Sequence, residues 1–498
     1  MIKPRPMRRC HRLVSWAWVT PLVIFAGCAI GPDFHRPGGP VSTRLTATDL
    51  PVETAGGEYD DDRPQRFFFP SLPTERWWRS FGSPAIDEFV DRALASNPTV
   101  AAAEATLRQA QEVVAAQRGL YYPSAQASYN STRGRVADTL SSPLSSNASV
   151  YSLHTAQLSV GYVADVFGGN RRLAEAADAQ TEGQWQQLRA ARISLTANVV
   201  NAVLQMASLS EQLAATERIA TIAEQQLRLL KVQRQLGAAP GAAVFAQEVV
   251  FRQSEATAAS LKKQLAQQRD LLAILVGTLP GEFSADVPAL SSLRMPDVPL
   301  ILPAVLVDQR PDVRAAEAQL HVANAQVGAA IGNLLPQISL TANLGSSALT
   351  FGKLLHAGTL AWSVGASVIQ PVFQGGQLLH RKRAADAQLE VSLAQYESTV
   401  LAAFQNVADT LEAVRFDAEQ YQASSRQQSA AEASLRIARR QVELGDISYL
   451  ALLNAETASL QAAIAKVQAS SSRFSDVVAM FQALGGDWLE QPVATTAK

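Results

Sequence analysis

One stretch of this chain occurs twice. Residues 97–130 (NPTVAAAEATLRQAQEVVAAQRGLYYPSAQASYN) and 310–343 (RPDVRAAEAQLHVANAQVGAAIGNLLPQISLTAN) align without a gap. Pro98 meets Pro311, Val100 meets Val313, Glu104 meets Glu317, Leu107 meets Leu320 and Pro123 meets Pro336, all at an offset of 213. A repeat of this length is a duplicated supersecondary unit, so any fold for the chain must satisfy that unit twice.

Each copy changes period halfway. Over 100–114 and 313–327 small and apolar residues recur at helical spacing. After Pro123 and Pro336 the period becomes two. Ile338, Leu340, Ala342 and Leu344 alternate with Gln337, Ser339, Thr341 and Asn343, giving one apolar and one polar face. A soluble strand over a core shows this pattern. A membrane-barrel strand with a lipid face and a wet lumen shows it too, over about 10 residues. Polar loops at 131–149 and 346–358 lead to return strands. The first puts Leu158, Val160, Tyr162, Ala164 and Val166 on one face, and Gln157, Ser159, Gly161 and Asp165 on the other, with Val163 the exception. The second aligns Leu360, Trp362, Val364, Ala366 and Val368. Tyr121, Tyr122, Tyr162 and Trp362 stand near the strand ends, as an interfacial girdle would.

The N-terminus decides where such hairpins could go. Lys3, Arg5, Arg8, Arg9 and Arg12 precede an apolar run over 13–25, which reads as a secretory signal. It ends in Phe25-Ala26-Gly27-Cys28. Small residues before a cysteine resemble a bacterial lipobox, in which Cys28 would carry a covalent diacylglycerol and palmitate. Phe25 departs from the usual aliphatic residue, and ordinary signal cleavage is the other reading. Cys10 and Cys28 are the only cysteines, so the folded body has no disulfide or thiolate metal site. No later apolar run approaches the roughly 18 residues of a spanning helix. If the mature chain crosses a membrane, it does so with strands. Without its first 27 residues the chain holds 38 basic against 44 acidic side chains, which argues against nucleic acid as a partner. Residues 28–73, rich in Pro, Gly, Asp and Thr, read as an extended, poorly ordered arm. A stripe from Ile86 then starts one helix over 86–118.

Both return strands end in a Phe and a glycine pair, at Phe167-Gly168-Gly169 and at Phe373-Gln374-Gly375-Gly376. Proline-free helical runs follow, to about Leu236 and Leu444. They share AADAQ at 176–180 and 384–388, an offset of 208. About 65 residues make roughly 100 Å of helix, and such a length without caps means coiled-coil packing. Glycine turns, Leu236-Gly237-Ala238 and Leu444-Gly445-Asp446, reverse the chain into returning helices that end at Gly277 and Gly485. A returning helix plus a shorter one matches a long one, so the chain supplies two continuous and two broken helices to a tube wall. Arg171-Arg172 and Arg381/Arg383 open the long helices and read as a solvated interfacial collar rather than a substrate filter. Four strands cannot close a membrane barrel, which needs at least about eight. Several chains must contribute, giving eight strands as a dimer or twelve as a trimer.

The chain resembles the TolC-like outer membrane efflux factors, specifically the lipoprotein branch (NodT-type) of resistance-nodulation-division (RND) systems. The resemblance is carried by CAIGPDFHRP, ERWWRSFGSPAIDEFVDRALASNPTVAAAEA, RPDVRAAEAQL, the Gly-Gly turns and LGDISYLALLNAE. It implies an α+β membrane protein and a homotrimer. A twelve-stranded outer membrane β-barrel, four strands per chain, would continue into a long periplasmic α-helical barrel. The division would be a signal peptide (1–27), a lipid-anchored arm and equatorial segment (28–85), a first repeat (86–285), an equatorial linker (286–305), a second repeat (306–486) and a tail (487–498). The family's tip motifs fall on Gly237, Ala238, Gly445 and Asp446, which would dock a periplasmic membrane fusion protein coupled to an inner-membrane RND-type pump. The periplasmic gate would involve Tyr449, Leu453 and Asn454. Many members carry an Asp after the paired leucines. Here Leu452-Leu453 is followed by Asn454, and Val244-Phe245 by Ala246, so Asp446 and Glu456 are the nearest carboxylates.

No HExxH, GxSxG, GxxxxGK[ST] or GxGxxG pattern occurs, so no catalytic or metal residues and no cofactor are expected. His321 and His380 read as surface residues. The expected function is a passive exit duct for small toxic compounds. A type I, ABC-driven protein export duct is the alternative, and a poreless periplasmic scaffold is the reading from another class. The scaffold has no use for lipid-facing Ile338, Leu340 and Trp362.

Overall fold

The computed structural model describes residues 29–38, 51–56, 64–68, 76–137, 148–284, 286–300 and 309–486. The expected signal peptide, Cys28 and the 487–498 tail lie outside the described residues. Among the described residues six strands are present: β1 (Phe67–Phe68), β2 (Ser124–Arg135), β3 (Val150–Ala164), β4 (Val298–Pro299), β5 (Gln337–Ala348) and β6 (Leu360–Ile369). The α-helices among the described residues are α1 (Pro84–Ser96), α2 (Pro98–Gly119), α3 (Gly169–Gln235), α4 (Gly241–Leu275), α5 (Pro311–Gly332), α6 (Gln377–Leu444) and α7 (Tyr449–Ala483). From α2 to α4 and from α5 to α7 the order is the same: helix, two strands, long helix, returning helix.

The chain forms two compact units. The first comprises the described residues to His35, Gln111–Gln180 and Leu320–Ser392. Its centre is an antiparallel sheet of order β2-β3-β5-β6. Strand pairing outruns the expected loops. Ser131–Arg135 stay paired in register with His154–Val150 although Ser-Thr-Arg-Gly-Arg carries no apolar alternation, and β5 likewise runs on to Ala348. At the other end β3 stops at Ala164. Asp165, expected on a strand face, instead caps α3: its carboxylate accepts from the backbone N–H of Asn170 (3.0 Å) and Arg171 (2.9 Å).

The second unit comprises the described residues of Arg36–Ala110, Thr181–Gln319 and Leu393–Lys498. The helix expected over 86–118 is broken at Asn97. Pro98 disfavours helical backbone at the preceding residue, and Asn97 is extended (ψ 123°). Its side-chain oxygen accepts from Thr99 N–H while its amide donates to the Leu275 carbonyl, which ties the break to the end of α4. Trp77, Trp78 and Phe81 bury their rings with Ile86 and Val90 of α1, Val199, Val203 and Leu204 of α3, Leu272 of α4 and Phe474 of α7. The stretch of α3 through this core has a mean hydropathy of 1.2 over 18 residues. That corrects the expectation that no later run reaches spanning length. With 72% of it buried inside the protein, it is a core helix.

On α6 the buried seam is Tyr396, Val400, Ala403, Val407, Leu411, Val414, Ala418, Tyr421 and Ser425. Tyr396, Val407 and Ala418 are eleven apart, and an eleven-residue repeat (about 3.67 per turn) nearly matches a straight helix. That spacing lets a helix of roughly 100 Å keep one face against its neighbours. The arm is less loose than its composition implies. β1 pairs in parallel with β4, Phe67 opposite Val298. Buried Gln65 receives a bond from Arg473 and donates to the Pro296 carbonyl.

Candidate functional site

The register of the sheet sorts its side chains into two faces. On one, Ala125, Ala127 and Tyr129 stand opposite Val160, Leu158 and Ala156. Tyr162, Val160 and Leu158 then meet Leu340, Ala342 and Leu344. Ile338, Leu340, Ala342 and Leu344 meet Val368, Ala366, Val364 and Trp362. The row is exposed at its edge, with Trp362 and Val364 each 75% accessible. On the other face hydroxyls and amides bond to one another. Gln157 donates to Ser159 and Asn343, Asn343 donates to Ser363, and the Ser339 and Ser367 hydroxyls pair. One side suits hydrocarbon and the other suits water, with nothing but four strands between them. Among the described residues strands β2 and β6 are each paired on one side only.

Arg172 is where the sequence reading errs most. It is not part of a solvated collar, since its side chain is only 5% exposed. Its guanidinium donates to the Ile30 and Gly31 carbonyls, to Asp33 at 2.8 Å and to Glu175 at 2.8 Å. Glu175 in turn bonds the His321 ring at 2.8 Å, and His321 stacks on Phe34 at 4.3 Å. His321 is therefore not a plain surface residue. Together these groups clamp residues 30–34 onto α3 and α5. Gly168 is shaped to the same contact: its φ is +77°, and an added Cβ would lie 2.7 Å from the Ala29 Cα. Burial works against the Arg172 charge, and the bonds from both carboxylates more than offset it. Burial would raise Glu175, yet bonds from His321 and Arg172 hold it below the usual carboxylate range. The bond from Arg172 lowers Asp33 as well. Arg381 and Arg383 start α6 and carry no such clamp among the described residues.

The tips form as glycine-terminated turns. Gly237 N–H bonds Arg234 O and Ala238 N–H bonds Gln233 O; Gly445 N–H bonds Val442 O and Asp446 N–H bonds Gln441 O. Both glycines have left-handed backbone (φ +78° and +80°) and open space around the missing Cβ. Leu236, Phe245 and Val249 are exposed beside the first tip, and Leu444 and Tyr449 beside the second. The three expected gate residues divide. Tyr449 and Asn454 are exposed, whereas Leu453 is buried in helix packing. The Asn454 side-chain oxygen accepts from Gln226 of α3, and Gln226 accepts from Gln247 of α4, so one amide chain joins three helices.

Two carboxyls escaped the sequence reading entirely. Asp476 of α7 lies near Asp417 of α6, and burial first, then the neighbouring Asp417 charge, push it up to about 7. Among the described residues no group of three or more His, Cys, Asp or Glu side chains is placed to hold a metal.

The outer membrane efflux protein family model matches residues 89–278 and 302–486. The chain is 28% identical to the probable efflux pump outer membrane protein TtgC of Pseudomonas putida over 94% of each chain, and 27% identical to the solvent efflux pump outer membrane protein SrpC of the same species over 94% of this chain and 97% of that one. Among solved structures it superposes on the outer-membrane channel OprN with a TM-score of 0.78 at 26% identity, covering 92% and 99% of the two chains. On the open state of the Neisseria gonorrhoeae MtrE outer membrane channel the TM-score is 0.76 at 25% identity, over 92% and 98%. With a two-faced sheet, long paired helices and a family match across most of its length, the chain belongs to the outer membrane efflux protein family, the TolC-like efflux channels of the outer membrane.

Proposed function

We propose that the channel is a homotrimer whose three sheets close one twelve-stranded barrel, continued by a periplasmic helical tube, and that the two halves of each chain arose by duplication. The observation that carries this reading is the four-stranded sheet with an apolar face and two open edges. Unpaired edges do not persist in hydrocarbon, and four strands are too few to close on themselves. In the trimer β6 of one chain pairs with β2 of the next. The duct is passive. Small toxic compounds enter from an inner-membrane RND-type pump through a periplasmic membrane fusion protein, which grips Gly237, Ala238, Gly445 and Asp446. The names of the relatives, pumps for solvents among them, support this substrate class. Tyr449 and Asn454 form the gate, with Leu453 packing behind them. Cys28 carries the diacylglycerol and palmitate, and residues 28–85, 86–285, 286–305, 306–486 and 487–498 serve as arm, first repeat, linker, second repeat and tail. Light scattering on the detergent-solubilised protein, corrected for bound detergent, tests the core of this reading and should give three chains. A stable monomer would overturn it.

A further inference from the structure

We propose that the seam between chains has one fixed register, with β6 of one chain antiparallel to β2 of the next and Val368 opposite the next chain's Tyr129. The register rests on the trimeric barrel proposed above and follows from the two hairpins of a single chain. Ser124 at the start of β2 faces Gly161, and Gln337 at the start of β5 faces Ile369. Strands β2 and β5 thus correspond at an offset of 213, the one that relates Pro98 to Pro311. Strands β3 and β6 correspond at 208, the one that relates the tip glycines Gly237 and Gly445. The turns agree. Gly168 and Gly376, also 208 apart, both have left-handed backbone (φ +77° and +83°) immediately before α3 and α6.

Between the hairpins, β3 meets β5 with Gly161 opposite Thr341. A path across the strands from Ser124 therefore arrives at Thr341, four residues beyond Gln337, its counterpart in β5. The seam is the same kind of junction, between the second strand of one hairpin and the first strand of another. Applied there, the same advance carries the path from Gln337 through Ile369 to the next chain's Ser128, four residues beyond Ser124. An equal stagger at every junction lets the hairpins close evenly. The side chains fit. Val368 and Tyr129, 65% and 50% exposed in the single chain, meet on the lipid face. Ser367 meets Asn130 on the polar face. A slip of one residue would turn the apolar face of β6 toward the lumen. A slip of two sets Tyr129 against Ala366 or Gln370 and loses the pairing of an aromatic with a β-branched side chain.

Engineered cysteine pairs test the register. Neighbouring rungs of an antiparallel ladder alternate between close and wide pairs, so two rungs are used. One variant joins Ser367→Cys to Asn130→Cys, and the other joins Ala366→Cys to Ser131→Cys. In slipped controls Ser367→Cys is joined to Ser128→Cys or Thr132→Cys, and Ala366→Cys to Tyr129→Cys or Arg133→Cys. In the proposed register those control partners are diagonal, about 7–8 Å apart, beyond the roughly 4.4–6.8 Å that a disulfide spans. Each variant is purified in detergent, sized by light scattering, oxidised and run on denaturing gels with and without reductant. Wild type, whose own cysteines are Cys10 and Cys28, sets the background. At least one matched pair should shift the monomer band to a covalent trimer that reductant reverses, while the slipped pairs stay at background. The matched pairs lie on opposite faces, so if one variant fails to assemble the other decides. Linking in a slipped pair instead, or assembled trimers in which no matched pair links, overturns the register and leaves the barrel standing. Wild type that scatters as a monomer overturns the barrel and the register with it.

Discussion

Ile193 on α3 and Leu401 on α6 occupy corresponding places in the two halves, at the offset of 208, yet Ile193 is 6% exposed and Leu401 is 70% exposed. The first long helix is surrounded within its own chain; Val199, Val200, Val203 and Leu204 are all buried around it. The second has one sealed seam and, away from it, a bare apolar set that includes Leu401 and Phe416. Two halves with the same order of elements thus supply one long helix as a core and its counterpart as an exposed apolar surface. An exposed apolar set of this kind on a soluble-facing helix marks an interface.

The largest effects should come from breaking this asymmetry directly. Ile193→Asp buries an unpaired charge in the core and should abolish folded yield. Leu401→Asp should leave helix content by circular dichroism unchanged but convert trimer to monomer in light scattering. If Leu401→Asp still assembles, that face is not the seam between chains.

The starts of the same two helices differ as strongly. Arg172 is buried among two carboxylates and two carbonyls, whereas the start of α6 is exposed. Arg172→Ala leaves the Ile30 and Gly31 carbonyls without their donor and Glu175 with His321 alone, at a cost of about 2–4 kcal/mol. Arg381→Ala should stay within about 0.5 kcal/mol. Thermal unfolding followed by near-UV circular dichroism compares them, and equal shifts would refute the clamp.

A third contrast is electrostatic. Asp417 and Asp476 in the second half correspond to Leu209 and Gln268 in the first. A free Asp titrates near 3.8 and Asp476 in the fold near 7, so the folded chain holds this proton more tightly than the unfolded one. Below about pH 4 both states are protonated and the pair costs nothing. As pH rises toward 7 only the unfolded chain has released the proton, so stability falls, and above 7 the loss is complete. Asp476→Asn should therefore raise the melting temperature by several degrees at pH 8 and hardly at all at pH 4. A pH-independent difference would mean that Asp476 does not hold its proton up to about pH 7 in the fold.

What could be read beforehand follows from the distance over which each signal acts. The strands were legible because their period of two is local; the extension of β2 over Ser131–Arg135 was not, because Ser-Thr-Arg-Gly-Arg pairs without an apolar alternation. The long helices were legible from missing prolines and the glycine turns. The break at Asn97 was available in the Asn97-Pro98 pair, but the apolar stripe running through it masked the signal. Arg172 could not be read as buried, because the Ile30, Gly31 and Asp33 groups that bond it lie more than 130 residues earlier, in a stretch with no helix or strand. Asp417 and Asp476 meet only after a hairpin closes. Nothing in either local sequence announces the other.

The smallest effect on stability, and the most specific for function, belongs to the tips. Asn454 of the second half stands where Ala246 stands in the first, so only one returning helix presents a polar side chain there. Its oxygen already accepts from Gln226, and Asn454→Asp keeps an acceptor of the same shape, so the change should cost under about 1 kcal/mol. Electrically it is not small. In a trimer it adds three carboxylates to a narrow lumen, where like charges concentrate the field and attract cations. The variant should become more cation-selective and more readily blocked by divalent or trivalent ions, as planar-bilayer reversal potentials and block curves would record. Placing Asp at Ala246 should act similarly only if the first-half helix lines the same constriction. If wild type is already blocked as strongly as the Asn454→Asp channel, the controlling charge lies elsewhere. Exposed Asp446 at the second tip then becomes the residue to neutralise, and Asp446→Asn should relieve the block.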